Sequence, residues 1–361
     1  MGWFSRKRLS PIGLDVGSRA VKAVQLAGEP GAWRVAAATL IPREEGAAGA
    51  DGAGLNGLME GGVARIGQVL SRQGFVGDEL VLAVPGETLR GGMIELPRRD
   101  SGAPLEQIAR METATLHRLT PGSFELAWAE LPAGSRQHDL TRATVAACPH
   151  DEAEAMLDAF AEHGMEVVVL DVAASALARL ADVAEESQQH VLVVMDLGQT
   201  AATLMLIYRG CVIYERRLPE SGFGALADRM MQEFALEAGV ARYLLEDVGL
   251  TDDPDHPDAM PTPMRAMVTQ HLEDLARELN VSLSYAKHQY GDVAVGPVML
   301  VGGAAKMLGL AEALTLHVPD RATVLTPGHR AAVAEPLLGA GHDPAFSLAT
   351  ALAMHESGGE A

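Results

Sequence analysis

The chain has 361 residues, of which 48% are hydrophobic but only 4% aromatic, and its formal net charge is −20. This length supports large aliphatic cores in more than one lobe. The acidic balance argues against broad nucleic-acid binding, because phosphate contacts need clustered Lys and Arg. No run of roughly 18 apolar residues, the length that a membrane span requires, occurs in the sequence.

The cysteines and the first residues bear on the cellular compartment. Cys148 and Cys211 each lie in an apolar, strand-like run, which favours buried free thiols in a reducing compartment. Residues 1–11 form a short basic leader, too short and too polar for a signal peptide. Its Trp3 and Phe4 precede three basic residues, so it is either a disordered terminus or a weak contact with an anionic membrane surface. We expect a cytoplasmic protein.

The first predicted elements form a sheet. Residues 12–26 have the pattern of a strand, a tight turn and a returning strand, and a third strand is expected over 33–40. The Gly- and Ala-rich stretch 44–62 predicts a loop. A helix near 63–73 and a strand over 80–84 follow.

Residues 86–165 have the pattern of a separate βαββα insert. Asp151 is predicted to cap its last helix, with Glu154 three residues on and Gly164 just past the end. The five elements of the insert are expected near residues 91–96, 104–118, 124–131, 141–147 and 151–163.

A strand over 166–170 and a helix near 172–183 then return to the first lobe. That lobe is assigned to residues 12–85 and 166–190. The second lobe is assigned to residues 191–220 and 297–361, with a helical part over 221–296. The second lobe is expected to contain a strand over 191–196, a hairpin over 199–208 and a strand over 211–218, with long helices near 222–248 and 264–290.

Two stretches, one at the start of each lobe, are alike. Each is an apolar run that ends in Asp-apolar-Gly, at Asp15–Gly17 and at Asp196–Gly198, before a second apolar run. A Gly in such a turn lets backbone amides approach a phosphate, and the acid can hold the water shell of Mg²⁺. A single Asp-x-Gly is an ordinary turn. Two in matching contexts indicate a duplicated fold that faces a nucleotide from both sides.

A third element belongs with these turns. A buried strand over 297–301 ends in Gly302 and Gly303, and an apolar helix is predicted over 307–316. A Gly pair lets a purine lie against the backbone. The alternative is a plain turn at the start of a helix.

In this order, the three elements resemble the first phosphate, second phosphate and adenosine motifs of the actin-like ATPase superfamily. Within it, the chain resembles the PilM family of type IV pilus assembly, a relative of FtsA. The leader with Ile12–Ser18, the stretches Leu82–Gly86 and Met93–Pro97, and the helix Glu278–Tyr285 add to this resemblance. It implies an α/β, two-lobed actin-like (ribonuclease H-like) ATPase fold with a small α+β insert in the first lobe.

The resemblance also implies ATP and Mg²⁺ as cofactors. Asp15 and Asp196 would hold Mg²⁺ through water. Lys22 would reach a phosphate, unless it is a solvated lysine at a strand edge. The remaining residues implied in nucleotide binding supply turn amides, hydroxyls or space for the base: Gly17, Ser18, Gly198, Gln199, Thr200, Gly302 and Gly303.

Two departures from the superfamily pattern concern the ribose side and the turn before it. That turn commonly has Gly-Gly with an acid close behind, whereas in Glu220–Ala225 the two Gly are not adjacent and no acid follows until Asp228. Arg242 and Leu245 stand where an acid and a Lys are expected, so the alternative is a degenerate scaffold without nucleotide. Asp171 is a candidate for positioning the attacking water. Its other interpretation is a helix N-cap. We expect at most a slow ATPase.

The PilM resemblance implies a partner. Members bind the cytoplasmic N-terminal peptide of PilN, an inner-membrane protein, in a groove between the first lobe and the insert. This partner implies a peripheral position at the inner membrane. Self-association is a further expectation. Leu105, Ile108, Met111 and Leu116 are either anchors for this peptide or core residues. A secretion-like scaffold and an FtsA-like membrane filament remain alternatives, although the acidic, Gly-rich end 353–361 disfavours the filament. A kinase would need an acceptor Asp, for which the first lobe offers no strong candidate.

Overall fold

The structure is a computed structural model that describes residues 8–43, 61–134, 140–181, 189–250, 259–291 and 293–355. The predictions for the leader up to residue 7, for most of the loop 44–62 and for the acidic end after 355 lie outside these ranges. The chain divides into two compact units. Unit 1 comprises Met1–Leu180, Gly328–Gly341 and Leu348–Ala361, and unit 2 comprises Ala181–Pro327 and His342–Ser347.

Unit 1 is built on a six-stranded sheet in the order β14-β3-β2-β1-β4-β8. Strands β1, β2 and β3 pair antiparallel, whereas β4 and β8 continue the sheet in parallel. The strands of this sheet are β1 (Ile12–Val16), β2 (Ala20–Ala27), β3 (Trp33–Pro42), β4 (Glu79–Ala83), β8 (Glu166–Asp171) and β14 (Ala331–Ala332).

Helices α1 (Gly62–Arg72) and α3 (His150–Ala161) contribute to the main core of unit 1. Met156 and Phe160 of α3 belong to the same buried cluster as Leu14 of β1, although α3 was assigned to the insert. The predicted cap was wrong. Pro149 occupies the N-cap position, and Asp151 lies inside the first turn, where a carboxylate is favoured by the helix dipole.

The insert contains a three-stranded sheet in the order β5-β7-β6, on which helix α2 (Leu105–His117) packs. Leu105 and Ile108 of α2 pack against the insert's own core. Met111 and Leu116 are 55% and 49% exposed, so the four candidate anchors separate into two core residues and two surface residues. The insert strands are β5 (Arg90–Pro97), β6 (Phe124–Glu130) and β7 (Leu140–Pro149).

Unit 2 repeats the sheet of unit 1. Its order is β11-β10-β9-β12-β13, again with three antiparallel strands followed by two parallel ones. In each unit, the first of these strands along the chain joins the antiparallel half of the sheet to the parallel half. This common topology confirms the duplication predicted from the twin motifs. The strands are β9 (His190–Leu197), β10 (Ala202–Tyr208), β11 (Cys211–Leu218), β12 (Ala294–Val301) and β13 (Ala322–Val324).

The helices of unit 2 are more broken than predicted. The expected helix over 222–248 is divided into α5 (Phe223–Phe234), α6 (Ala238–Tyr243) and a π-helical turn (Leu244–Val248). Ala235 ends α5 with a φ of 53°. Non-Gly residues rarely adopt this conformation, so an Ala does not indicate the end of a helix. Helix α7 (Thr262–Tyr290) is continuous.

Of the predicted helix over 307–316, only α8 (Leu310–Thr315) is helical, and the 3₁₀ turn Gly303–Lys306 lies before the predicted range. The remaining elements, all short except α4, are α4 (Ala173–Ala181), the 3₁₀ turn Gly303–Lys306, α8 (Leu310–Thr315), α9 (Leu338–His342), α10 (Ser347–Ala353), and 3₁₀ turns at Arg99–Ser101, Pro219–Ser221, Pro327–His329, Glu335–Leu337 and Pro344–Phe346.

Most of the chain after residue 327 lies in unit 1 rather than in the second lobe, to which it was assigned. Strand β14 extends the first sheet by pairing with β3. Helix α10 lies against Gly13 of β1, where a Cβ would overlap the backbone of Ala349 and Ala353. Among the described residues, no helix combines the length and apolar character needed to cross a membrane.

Candidate functional site

The first phosphate turn joins β1 to β2. Asp15 lies next to the last residue of β1, and the amide of Gly17 donates a hydrogen bond to the carbonyl of Ala20 at 3.2 Å. A Cβ on Gly17 would lie 2.9 Å from that carbonyl oxygen and 2.6 Å from Nζ of Lys22. The turn therefore requires Gly, and Ser18 follows it in a half-buried bend.

Lys22 lies opposite Asp15 in the β1–β2 register, and its Nζ is 3.0 Å from Oδ2 of Asp15. Each side chain is 15% exposed, so Lys22 is not the solvated strand-edge lysine of the alternative interpretation. Arg43 also braces this turn, because its guanidinium donates to the carbonyl of Gly17 at 3.1 Å. Sequence reasoning missed Arg43, which carries no motif.

The second phosphate turn, between β9 and β10, has the same construction. The amide of Gly198 donates to the carbonyl of Ala201 at 3.1 Å, and a Cβ on Gly198 would lie 2.8 Å from that oxygen. The residue opposite Asp196 is Thr203 rather than a lysine. Gln199 and Thr200 occupy the two middle positions of the turn.

The segment that departs from the superfamily's Gly-Gly turn holds the second phosphate turn in place. The amides of Phe223 and Gly224 donate to the carbonyls of Gly198 and Gln199 at 3.1 and 2.8 Å. A Cβ on Gly222 would lie 2.7 Å from the Gln199 oxygen, and one on Gly224 would lie 2.8 Å from it. The spacing Gly-x-Gly at the start of α5 was the available signal.

The double Gly after β12 lies beside the second turn. Val301 pairs with Asp196 in the parallel sheet, and Gly302 has a φ of 88°. A Cβ on Gly302 would overlap Oδ1 of Asp196 and lie 2.8 Å from the Leu197 carbonyl oxygen. A Cβ on Gly303 would meet no described atom within 4 Å. The structure thus brings the second phosphate motif and the adenosine-type motif together within unit 2.

The expected ribose side is occupied differently from the superfamily pattern. Leu245 is buried, and Arg242 is exposed on α6. Instead, Oε2 of Glu246, in the π-helical turn, lies 3.0 Å from Nζ of Lys306 in the 3₁₀ turn that follows the double Gly. An acid and a lysine therefore meet here, but from two segments of the chain, which a linear motif does not show.

Asp171, at the end of β8, is engaged by its neighbours. Its Oδ1 accepts from the amide of Val172 at 2.7 Å, its Oδ2 pairs with Arg179, and Nδ1 of His355 lies 3.6 Å from that oxygen. Helix α4 begins at Ala173, so Asp171 lies one residue before the N-cap position, and its contact with the Val172 amide is not the bond to the second or third helical amide that an N-cap makes. Positioning of a catalytic water by Asp171 stays a prediction.

The described residues contain no group of three or more His, Cys, Asp or Glu that could hold a metal ion. A single carboxylate at each phosphate turn nonetheless fits Mg²⁺, which keeps several of its waters and takes one or two carboxylates. The close backbone at Gly17 and Gly198, where no side chain would fit, leaves turn amides free of a covering Cβ.

Comparison with known proteins identifies the family of this chain. A family model described as type IV pilus assembly protein PilM matches residues 13–357. The chain belongs to the PilM family. It is therefore a component of type IV pilus assembly, and the resemblance seen in the sequence is confirmed.

Solved structures show the same fold. The PilM–PilN type IV pilus biogenesis complex matches with a TM-score of 0.75 and 23% identity, covering 96% of this chain and 98% of that one. Ethanolamine utilization protein EutJ from Carboxydothermus hydrogenoformans matches with a TM-score of 0.54 and 13% identity, covering 96% and 89%. MreB5 of Spiroplasma citri bound to ADP matches with a TM-score of 0.50 and 10% identity, covering 94% of each chain. The actin-like fold is confirmed.

Proposed function

We propose that this PilM-family protein binds Mg·ATP through its two phosphate turns. We further propose that it acts at the cytoplasmic face of the inner membrane as a scaffold for the N-terminal peptide of a PilN-like protein. The observation that carries the first part is the pair of turns with the same amide-to-carbonyl hydrogen bond, at Gly17 and Gly198, each two residues after an Asp.

In this proposal Asp15 and Asp196 hold the Mg²⁺ through water, and Ser18, Gln199 and Thr200 supply hydroxyl and backbone donors. When bound, Mg²⁺ neutralises charge on the phosphate oxygens. Lys22 neutralises Asp15 in the structure described here, so its ammonium leaves that carboxylate when it binds a phosphate as a point charge. Gly302 and Gly303 keep side chains away from the nucleoside.

Calorimetric titration with Mg·ATP tests this site. We expect saturable binding that Asp196→Asn weakens at least ~10-fold, because the carboxylate charge toward Mg²⁺ is lost. Asp158→Asn, an exposed acid on α3, is the matched control and should bind like the unaltered protein. Absence of binding by the unaltered protein would refute the nucleotide proposal.

A scaffold without nucleotide is the second candidate, and one observation favours it. Leu245 is buried in unit 2, so no ammonium stands at that position of the ribose side. The Glu246–Lys306 pair bears against this candidate, because it restores both charges nearby. The same titration decides between the two.

Slow hydrolysis would require a group that positions water, and Asp171 is the residue proposed for it. We expect phosphate release well below that of dedicated kinases. Asp171→Asn should abolish it while nucleotide binding persists, since the side chain lies in unit 1 with Arg179 and not in either phosphate turn. If binding and release fall together with thermal stability, Asp171 is purely structural.

The partner proposal rests on family membership, and the matched PilM–PilN complex supports it. On the insert, Met93, Met111 and Leu116 are at least 41% exposed, and Leu116 lies against Gly92, next to Met93. We propose that these side chains contact the peptide.

Fluorescence anisotropy with a synthetic N-terminal peptide of the PilN-like protein from the same organism tests the contact. Leu116→Glu should weaken binding ~10-fold, because a charge is placed on an apolar contact. Val76→Lys, at another exposed apolar position, should not. Equal affinity of both variants would exclude this surface as the peptide site.

A further inference from the structure

A buried histidine lies beneath the segment that supports the second phosphate turn. His271 of α7 is 4% exposed, and its ring contacts Phe223 edge-on with 5.1 Å between centroids. It also makes a hydrogen bond to the backbone of Ser221. Its Nε2 is buried and has no hydrogen-bond partner among the described residues. The bond to Ser221 therefore uses Nδ1.

His271 is connected to the second phosphate turn through its two contact residues, Ser221 and Phe223. Ser221 and Phe223 flank Gly222, and the amides of Phe223 and Gly224 hold the carbonyls of Gly198 and Gln199. A peptide group is planar and trans, so a fixed carbonyl also fixes the next amide, which points the opposite way. The amides of Gln199 and Thr200 are therefore directed away from the start of α5. These amides are among the predicted phosphate donors.

We propose that His271 is a positioning residue for the second phosphate turn, acting through Ser221 and Phe223. This inference rests on the proposed nucleotide function. The neutral ring fills the space below the support segment and gives it one polar anchor. A protonated ring would place a charge, and a second N–H without a partner, in the same buried space.

The electrostatic surroundings favour the neutral ring. Burial lowers the pKa of His271, and Arg229 of α5 lowers it further, whereas Asp274 of α7 and the bond to Ser221 oppose the shift. The unfolded chain therefore binds this proton more readily than the folded chain. The stability that the neutral His271 contributes is therefore full above about pH 6.5, the ordinary value for His, and is lost as the pH falls below it toward the lowered pKa of the folded protein.

Mg·ATP titration of two variants tests the proposal. His271→Leu fills the space without a polar anchor, and we expect roughly tenfold weaker binding near pH 7.5. His271→Asn keeps a donor for Ser221 but no titratable group, and we expect binding within about threefold of the unaltered protein. Between about pH 7.5 and 5.5, the free energy of unfolding measured in urea should fall more in the unaltered protein than in His271→Asn, because the unfolded chain takes up a proton at His271 more readily than the folded chain. His288→Asn, exposed on the same helix, should follow the unaltered protein.

Amide hydrogen exchange gives a readout that does not need the nucleotide. The amides of Phe223 and Gly224 should exchange faster in His271→Leu than in His288→Asn, because the support segment loses its anchor. Unchanged exchange, or an unchanged affinity and pH profile, would overturn the positioning role. If the unaltered protein binds no Mg·ATP, the proposed function fails, and the exchange rates still decide the role of His271. If His271→Leu does not fold, His271→Asn and the pH profile decide it.

Discussion

The two phosphate turns share a backbone but differ in what surrounds them. The first turn is braced by long side chains, since Lys22 pairs with Asp15 and Arg43 bonds to Gly17. The second is braced by backbone, from the start of α5 and from Gly302. A duplicated turn can thus keep its geometry while one copy gains a movable cation and the other a fixed support. We expect the first turn to adapt and the second to tolerate little change.

The largest loss of stability is expected for Gly302→Ala. The new Cβ would overlap Asp196 and press on the backbone of Leu197, at a φ that L residues avoid. We expect a loss of about 3 kcal/mol or more in the free energy of unfolding of unit 2, measured in urea. Gly303→Ala is the matched control, because its Cβ would meet no described atom, and should change stability by less than about 1 kcal/mol. Similar losses in both variants would show that the turn is not rigidly supported.

The next test compares the two turn glycines. Gly198→Ala places a Cβ 2.8 Å from a backbone oxygen, and we expect a cost of about 2 kcal/mol. Gly17→Ala meets a backbone oxygen at 2.9 Å and also the flexible end of Lys22. Adding Lys22→Met to Gly17→Ala should therefore recover part of its cost, whereas Thr203→Val should recover none of the cost of Gly198→Ala. Urea midpoints of the single and double variants measure this coupling, and additivity in both turns would contradict it.

Removing the cation alone should have a smaller effect. Lys22→Met leaves Asp15 without its partner in a site that is largely covered, and we expect a loss of about 1 kcal/mol after allowing for solvent screening. Thr203→Val, at the matching position of the second turn, should lie within about 0.5 kcal/mol of the unaltered protein. Thermal unfolding at low and high salt checks this, because only the Lys22 effect should shrink with salt.

The last test measures the alkylation rate of the two cysteines, one in each unit. Burial, with nearby Glu152, raises the pKa of Cys148 to about 11, and burial raises the pKa of Cys211. Both thiols stay neutral near pH 8, so alkylation by iodoacetamide should be much slower in the folded protein than in urea. Mass spectrometry of the two peptides reports on each unit separately. Fast labelling of Cys148 in the folded protein would contradict its burial.

Much of the fold follows from local patterns. The strands around Asp15 and Asp196 were predicted because apolar runs, an acid and a Gly are close in sequence. The support by Phe223 and Gly224 was not predicted, since a hydrogen bond to a turn more than twenty residues earlier leaves no periodic pattern. The break at Ala235 was missed for a different reason, because Ala normally favours a helix. The nucleotide residues remain predictions.

The contact between Gly13 and α10 has a consequence for how the chain folds. The central strand β1 (Ile12–Val16) of the first sheet is covered by α10 (Ser347–Ala353), so this part of unit 1 cannot be completed until residue 353 has been made. Contacts of such long sequence separation slow folding and leave apolar surface open to aggregation meanwhile. A ribosome-bound chain that stops before Ser347 should therefore remain protease-sensitive around β1, whereas the released chain of residues 1–361 should be resistant there.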